Sequence, residues 1–296
     1  MPLGAAAVAV LRFHYARMET FEPVARHGAD PEGVHHTRTS VRRMRAMLRL
    51  SGSVFPPKPA KRLRRDLRRA GRVLGDVRDL DVFRDRARTW QVQSSVAAPG
   101  LAAAWDHRHA EARAELLAYL DGHHRRQLAA SLTAITDSGT SGPAVLTVLP
   151  ALIADLTAKM YGLGRAALAP DPSLEELHRL RIAAKRLRYL LEGFFAVVDR
   201  QAALPVLVEL KSLQDYLGTL QDAVVARHLL LGYLATGELR VHDGGTEPRA
   251  APGAAAYLMA VEEAISTLVA GVPAVWRRLD DPSFRRLIAG TTGMAH

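Results

Sequence analysis

The sequence predicts an all-α protein made of two related helical halves, and three observations carry that expectation. Apolar residues recur at three- and four-residue spacing almost throughout, with no sustained alternation of the kind a half-buried strand shows. A block near the start returns beyond the middle in one unbroken register. Between the copies stands a polar connector, Asp137-Ser138-Gly139-Thr140-Ser141-Gly142-Pro143. With 296 residues, 48% of them hydrophobic, the chain has ample material for a buried core.

In chain order, helices are expected over 4–26, 31–52, 59–74, 76–94 and 99–136 in the first half. The second half should hold helices over 143–169, 173–198, 201–219, 219–236, 254–279 and 281–289. Asp30 is placed to cap the second helix ahead of Pro31, and Ser173 with Glu176 three residues on has the pattern of a capping box. Three prolines between Val54 and Pro59 mark a break. Leu74-Gly75 and Leu217-Gly218 read as tight helix junctions, and Gly237 to Gly253 as an exposed, mobile loop. The expected organisation is one domain over 1–296, with a first repeat over 1–137 and a second over 143–296.

The repeat is specific. VHHTRTSVRRMRAML from Val34 matches LHRLRIAAKRLRYLL from Leu177, pairing His35 with His178, Arg38 with Arg181, Arg42 with Lys185, Arg45 with Arg188 and Leu48 with Leu191, each 143 positions apart. Without a gap, Leu67 then meets Leu210, Arg68 meets Lys211, Leu74-Gly75 meets Leu217-Gly218, and Asp79 meets Asp222. One register over more than forty positions points to an internal duplication.

Charge narrows the function. Forty Lys plus Arg against thirty Asp plus Glu give a formal charge of +10, and the surplus lies wholly in residues 1–142, with 24 basic and 14 acidic side chains. Residues 143–296 carry 16 of each. Thirty-five of the forty basic residues are arginine, a ratio that GC-rich coding alone produces, so position rather than count carries the argument. On a helix advancing about 100° per residue, His35, Arg38, Arg42 and Arg45 form one cationic stripe, and His178, Arg181, Lys185 and Arg188 form its counterpart. A solvated helix face mixes both signs to limit repulsion, yet no carboxylate interrupts either stripe. Such clustering costs stability that a bound polyanion would offset. The next helix extends the patch with Lys61, Arg62, Arg64, Arg65, Arg68, Arg69 and Arg72, whereas its counterpart keeps only Lys211.

Several classes are excluded or disfavoured. Zero cysteines rule out a disulfide framework, a thiolate metal site and a cysteine nucleophile. No phosphate-binding GxxxxGK[ST] loop, HExxH, GxSxG or Rossmann fingerprint is present. No metal site and no cofactor are expected: Asp106, His107, His109, Glu111 and the pair His123-His124 point in different directions on a helix, and His242-Asp243 lacks further ligands. No uninterrupted apolar run reaches the roughly 18 residues of a membrane span, and the start lacks the basic region of a signal peptide, so a cytoplasmic protein without a membrane partner is expected.

VHHTRTSVRRMRAML and LGDVRDLDVFRD, followed by LHRLRIAAKRLRYLLEGF and LGTLQDAVVA, resemble the two halves of a CHAD domain, the histidine-bearing α-helical domain that binds inorganic polyphosphate. The resemblance covers nearly the whole chain. It implies two pseudo-symmetric bundles enclosing a central basic channel, non-catalytic polyphosphate binding and association with polyphosphate granules. Carried over residue by residue, the implied binding residues are His35, Arg38, Arg42, Arg45 and Arg68 with His178, Arg181, Lys185, Arg188 and Lys211, and Arg49 and Arg72 extend the first stripe. Two departures suggest a weaker second half: Arg49 faces Glu192, and Arg78 faces Gln221. The ExExK signature of the triphosphate-tunnel domain that often accompanies this family is absent.

Physical chemistry agrees with that implication. Polyphosphate carries a charge on every unit and no ring, so its receptor needs closely spaced Arg and Lys donors and no stacking platform. The alternative is a protein that binds nucleic-acid backbones; the helices from Val34 to Leu48 and from Lys61 to Arg72 contain no aromatic residue for bases, so nucleic acid is expected only as a non-specific competitor. A phosphoanhydride enzyme would need a carboxylate cluster for Mg²⁺ or a positioned nucleophile, and neither emerges. Protein partners are left open.

Overall fold

A computed structural model describes residues 1–137, 141–170, 172–239 and 251–291. Ten α-helices and no strand occur among the described residues: α1 Leu3–His27, α2 Pro31–Leu50, α3 Pro57–Ser94, α4 Pro99–Asp121, α5 His123–Asp137, α6 Val145–Ala166, α7 Leu174–Gly193, α8 Arg200–Thr236, α9 Pro252–Leu279 and α10 Pro282–Gly290. The all-α expectation holds. The bounds of α2 and α7 differ by the same 143 positions as the sequence repeat.

Local chemistry sets these ends. The Asp30 carboxylate accepts the Glu32 N–H at 2.8 Å ahead of Pro31, and Ser173 and Glu176 form the reciprocal capping box. Gly142 adopts φ +114°, which a side chain would resist, and a Cβ there would fall 2.8 Å from Val54. This turn lets Ser141 and Pro143 accept backbone hydrogen bonds from Gly4 and Leu3 at 3.1 and 2.9 Å, stitching the chain start to the connector.

Three expectations need correction. Leu74-Gly75 and Leu217-Gly218 are not junctions: α3 and α8 run straight through them, so 59–74 with 76–94, and 201–219 with 219–236, are single helices. Interior glycine costs about 1 kcal/mol against alanine, but Leu74, Val77 and Leu80 are buried on either side and hold the helix. The span 99–136 is instead two helices, because Gly122 turns extended (φ −78°, ψ 170°) between α4 and α5. The middle connector is described only at its ends, and residues 240–250 of the expected loop, with His242-Asp243, lie outside the described residues.

Packing follows chain order. In the first half α1 and α3 flank α2, and α3 carries α4 and α5; in the second half α6 and α8 flank α7, and α8 carries α9 and α10. The halves meet where α2 touches α7 and α3 touches α8. α6 and α9 do have the length and mean hydropathy of a membrane span despite charges such as Asp155 and Glu262 within them, and they pack against α7 and α8 respectively. Trp276 of α9, fully buried, fills the space over Gly164 of α6. A Cβ at 164 would stand 1.9 Å from the indole. Gly164→Ala is therefore expected to destabilise the protein by about 3 kcal/mol, the upper end for overpacking. An unchanged urea midpoint would show that the indole can move aside.

Candidate anion-binding cleft

The contacts of α2 with α7 and of α3 with α8 surround a cleft of about 330 Å³. Val41, Met44 and Leu48 bury one side of α2, and Leu187, Leu190 and Leu191 bury one side of α7. The helical period then leaves part of each cationic stripe facing the same space. Arg38 and Arg42 reach it from α2, and Arg181, Lys185 and Arg188 from α7. His35 and Arg78 also line it, with Thr39, Gln214 and Thr219 as neutral polar groups.

Its carboxylates are already engaged. Asp79 accepts from Arg38 at 2.7 Å, and Asp215 pairs with Lys211 at 2.5 Å. Asp222 takes Arg86 of α3 at 3.1 Å, a bond between the halves. Glu192, beyond the cleft lining, likewise joins the halves by holding Arg43 at 2.9 Å. Arg42 and Arg188 each bury an Nε that has no hydrogen-bond partner among the described residues. The Arg188 Nε stands 3.7 Å from Glu192, an ion pair too long for a hydrogen bond, and the Arg42, Arg43 and Arg188 guanidiniums gather around the Tyr189 ring, 5.9, 5.6 and 5.4 Å from its centroid.

The crowding changes the proton affinities. Burial first, then the charges of Arg181, Arg42, Arg38 and Arg49, bring Lys185 down from 10.5 to about 7. Burial also lowers Arg181, with Asp222 working the other way. Asp222 itself is raised by burial and restrained by Arg86 and Arg181. His35 is lowered by burial and then by Arg78, with Glu32 opposing.

Of the residues expected from sequence, His35, Arg38, Arg42, Arg181, Lys185 and Arg188 come together at this cleft. Arg45, Arg49, Arg68, Arg72, His178 and Lys211 do not line it. His178 bonds Gln221 through Nδ1 at 2.5 Å, and Lys211 is taken by Asp215. Sequence reasoning singled out Arg78 only for its contrast with Gln221, and it missed Tyr189 and Arg86. The glycines it read as junctions lie beside the stripes: a Cβ at Gly75 would make an ordinary contact with Arg38 at 3.9 Å, and one at Gly218 with Arg181 at 4.0 Å.

The residues considered as metal ligands serve other contacts. His109 meets Asp81 at 3.0 Å and stacks on Trp105, His107 meets Glu111 at 3.3 Å, and His124 contacts Arg69. One group that sequence reasoning did not weigh, Glu32 with His35 and His36, places three ligand-type atoms within 4.8 Å of one another and could hold a cation.

Fold and cleft together define an all-α protein whose two helical halves share a cleft rich in arginine and lysine. The CHAD domain profile matches residues 9–231, so the chain belongs to the CHAD domain family. Its structure is similar to that of the CHAD domain from the plant Ricinus communis, with a TM-score of 0.66 at 24% identity over 100% of this chain and 93% of that one. It is also similar to PptA from Streptomyces chartreusis, with a TM-score of 0.69 at 17% identity over 94% of this chain and 99% of that one. No curated protein sequence matches the chain.

Proposed function

We propose that the protein binds inorganic polyphosphate in the cleft between its halves, without catalysis, and that this binding carries it to polyphosphate granules in the cytoplasm. The observation that supports the reading most is the unbalanced cation cluster: Arg42, Arg181 and Lys185 converge, with no ion pair of their own among the described residues, where every lining carboxylate already has its own basic partner. Such a site gains stability from an added anion, and arginine forks suit phosphate oxygens. The family resemblance supplies the same ligand class. Engagement of the carboxylates argues against a Mg²⁺-dependent phosphoanhydride enzyme. Tyr189, the aromatic lining residue, is surrounded by guanidiniums rather than open to a base, which disfavours nucleic acid.

The test is a competition titration at near-physiological salt, displacing labelled long-chain polyphosphate with unlabelled polyphosphate, single-stranded RNA and duplex DNA. Polyphosphate is expected to displace at concentrations at least about tenfold below either nucleic acid, a difference of about 1.4 kcal/mol. Equal displacement by all three would reduce the site to a generic basic surface.

A further inference from the structure

The cationic residues that do not line the cleft are not scattered. Lys61, Arg65, Arg68 and Arg72 are all exposed and, at spacings of four, three and four, fall on one face of α3, with Arg65 also donating through Nε to the buried Asp66 at 3.2 Å. From Lys61 to Arg72 this face runs about 16 Å. Arg45 and Arg49, in the last turns of α2, connect it to the cleft. Arg49 is within electrostatic reach of Lys185 on one side and of Arg45 and Arg186 on the other, and Arg45 is within reach of Arg68. The Arg45 guanidinium lies against α3 itself, where a Cβ on Gly71 would be 3.1 Å from Nη1.

The corresponding route in the second half is closed. In place of Lys61, Arg65, Arg68 and Arg72, α8 carries Leu204, Val208, Lys211 and Asp215, equally exposed. Lys211 and Asp215 neutralise each other at 2.5 Å, and Leu204 and Val208 offer a phosphate nothing. Where α2 has Arg49, α7 has Glu192, which binds Arg43. The two halves are thus alike inside the cleft and opposite outside it.

We infer that the exposed stripe Lys61, Arg65, Arg68 and Arg72 is a second phosphate subsite, reached from the cleft past Arg49 and Arg45, that engages the part of a linear polyphosphate too long for the cleft and so makes the protein select long chains. This rests on the reading of the cleft as a polyphosphate receptor. A linear anion is the ligand that suits a narrow row of cations continuing from a pocket, because each further unit brings its own charge to the next side chain. A compact anion would occupy the cleft and leave the stripe unused.

The test compares tripolyphosphate with long-chain polyphosphate on the full chain and on the variant Arg65→Glu/Arg68→Glu. The variant is expected to bind long chains at least about tenfold more weakly and to keep tripolyphosphate affinity unchanged. Its log-affinity against log-salt slope for long chains should shrink by about two, one for each phosphate contact removed. Arg65→Gln/Arg68→Gln should show the same pattern in smaller measure, which separates lost contacts from added repulsion. Equal weakening of both ligands, or no weakening of either, would overturn the stripe while leaving the cleft in place. If the unmodified protein binds neither ligand, the cleft reading fails first and the stripe with it.

Discussion

Replacing Arg42 and Lys185 together by Glu is expected to leave the helices formed and to lower affinity for long-chain polyphosphate at least about 100-fold. Two charge-assisted hydrogen bonds at about 1.5–3 kcal/mol each account for that loss before the repulsion of the new carboxylates is added. Both side chains project into the cleft, and neither holds an ion pair among the described residues. The helices should survive because Val41, Leu48, Leu187 and Leu190, which pack α2 and α7, are untouched. Stability should in fact rise without ligand, since both positions sit among Arg38, Arg181 and Arg49 and the substitution turns repulsion into attraction. Circular dichroism with thermal melting reads one half of the expectation and a binding titration the other. A folded double variant with undiminished affinity would remove the proposed site.

The second large effect is on pH. With Lys185 lowered to about 7, the free cleft loses a positive charge as pH rises through neutrality. A bound polyanion favours the protonated amine, so above pH 7 binding must take up a proton, and affinity falls by up to about tenfold per unit until the amine is neutral in the complex as well. The free protein responds in the opposite direction. Between 7 and the ordinary 10.5 the unfolded chain holds more protons on this lysine than the folded one, so its unfavourable contribution is full below pH 7 and is relieved as pH rises. His35, held below its usual value, titrates on the acid side and adds a separate, lower inflection. Lys185→Arg fixes the charge and should abolish the dependence between pH 7 and 9 while keeping binding. Calorimetry in two buffers of different ionisation enthalpy measures the proton uptake directly, and equal apparent enthalpies in both would refute it.

Much of the architecture was legible because it rests on local periodicity and caps. Asp30-Pro31 and the Ser173–Glu176 box fix the starts of α2 and α7, and the repeat register carries one half onto the other. The errors share one cause: a glycine can end a helix or be carried inside one, and a sequence does not separate the two. At Gly75 and Gly218 buried neighbours such as Leu74 and Leu217 carry the helix through; at Gly122 there is a true break. Treating Gly75 as a junction also cut the register of α3. Read continuously, Arg72, Asp79 and Arg86 are spaced by seven and share a face, which would have exposed Asp79 and Arg86 as cleft neighbours. The stripes themselves were plain, but which cations enter the cleft depends on how α2 crosses α7, a tertiary fact with no local signal.

Tyr189 shows how so many like charges can be kept together and yet remain usable. A carboxylate would hold Arg42 more firmly, but it would also neutralise it and compete with any incoming anion. The ring holds it through its quadrupole, which attracts a cation while contributing no net charge. Arg42 is therefore positioned by a neutral anchor, with its full charge still directed at the ligand. Glu192, engaged with Arg43 at 2.9 Å and with Arg188 at 3.7 Å next to that ring, illustrates the other solution, in which positive charge is given up, in the case of Arg43 to join the two halves.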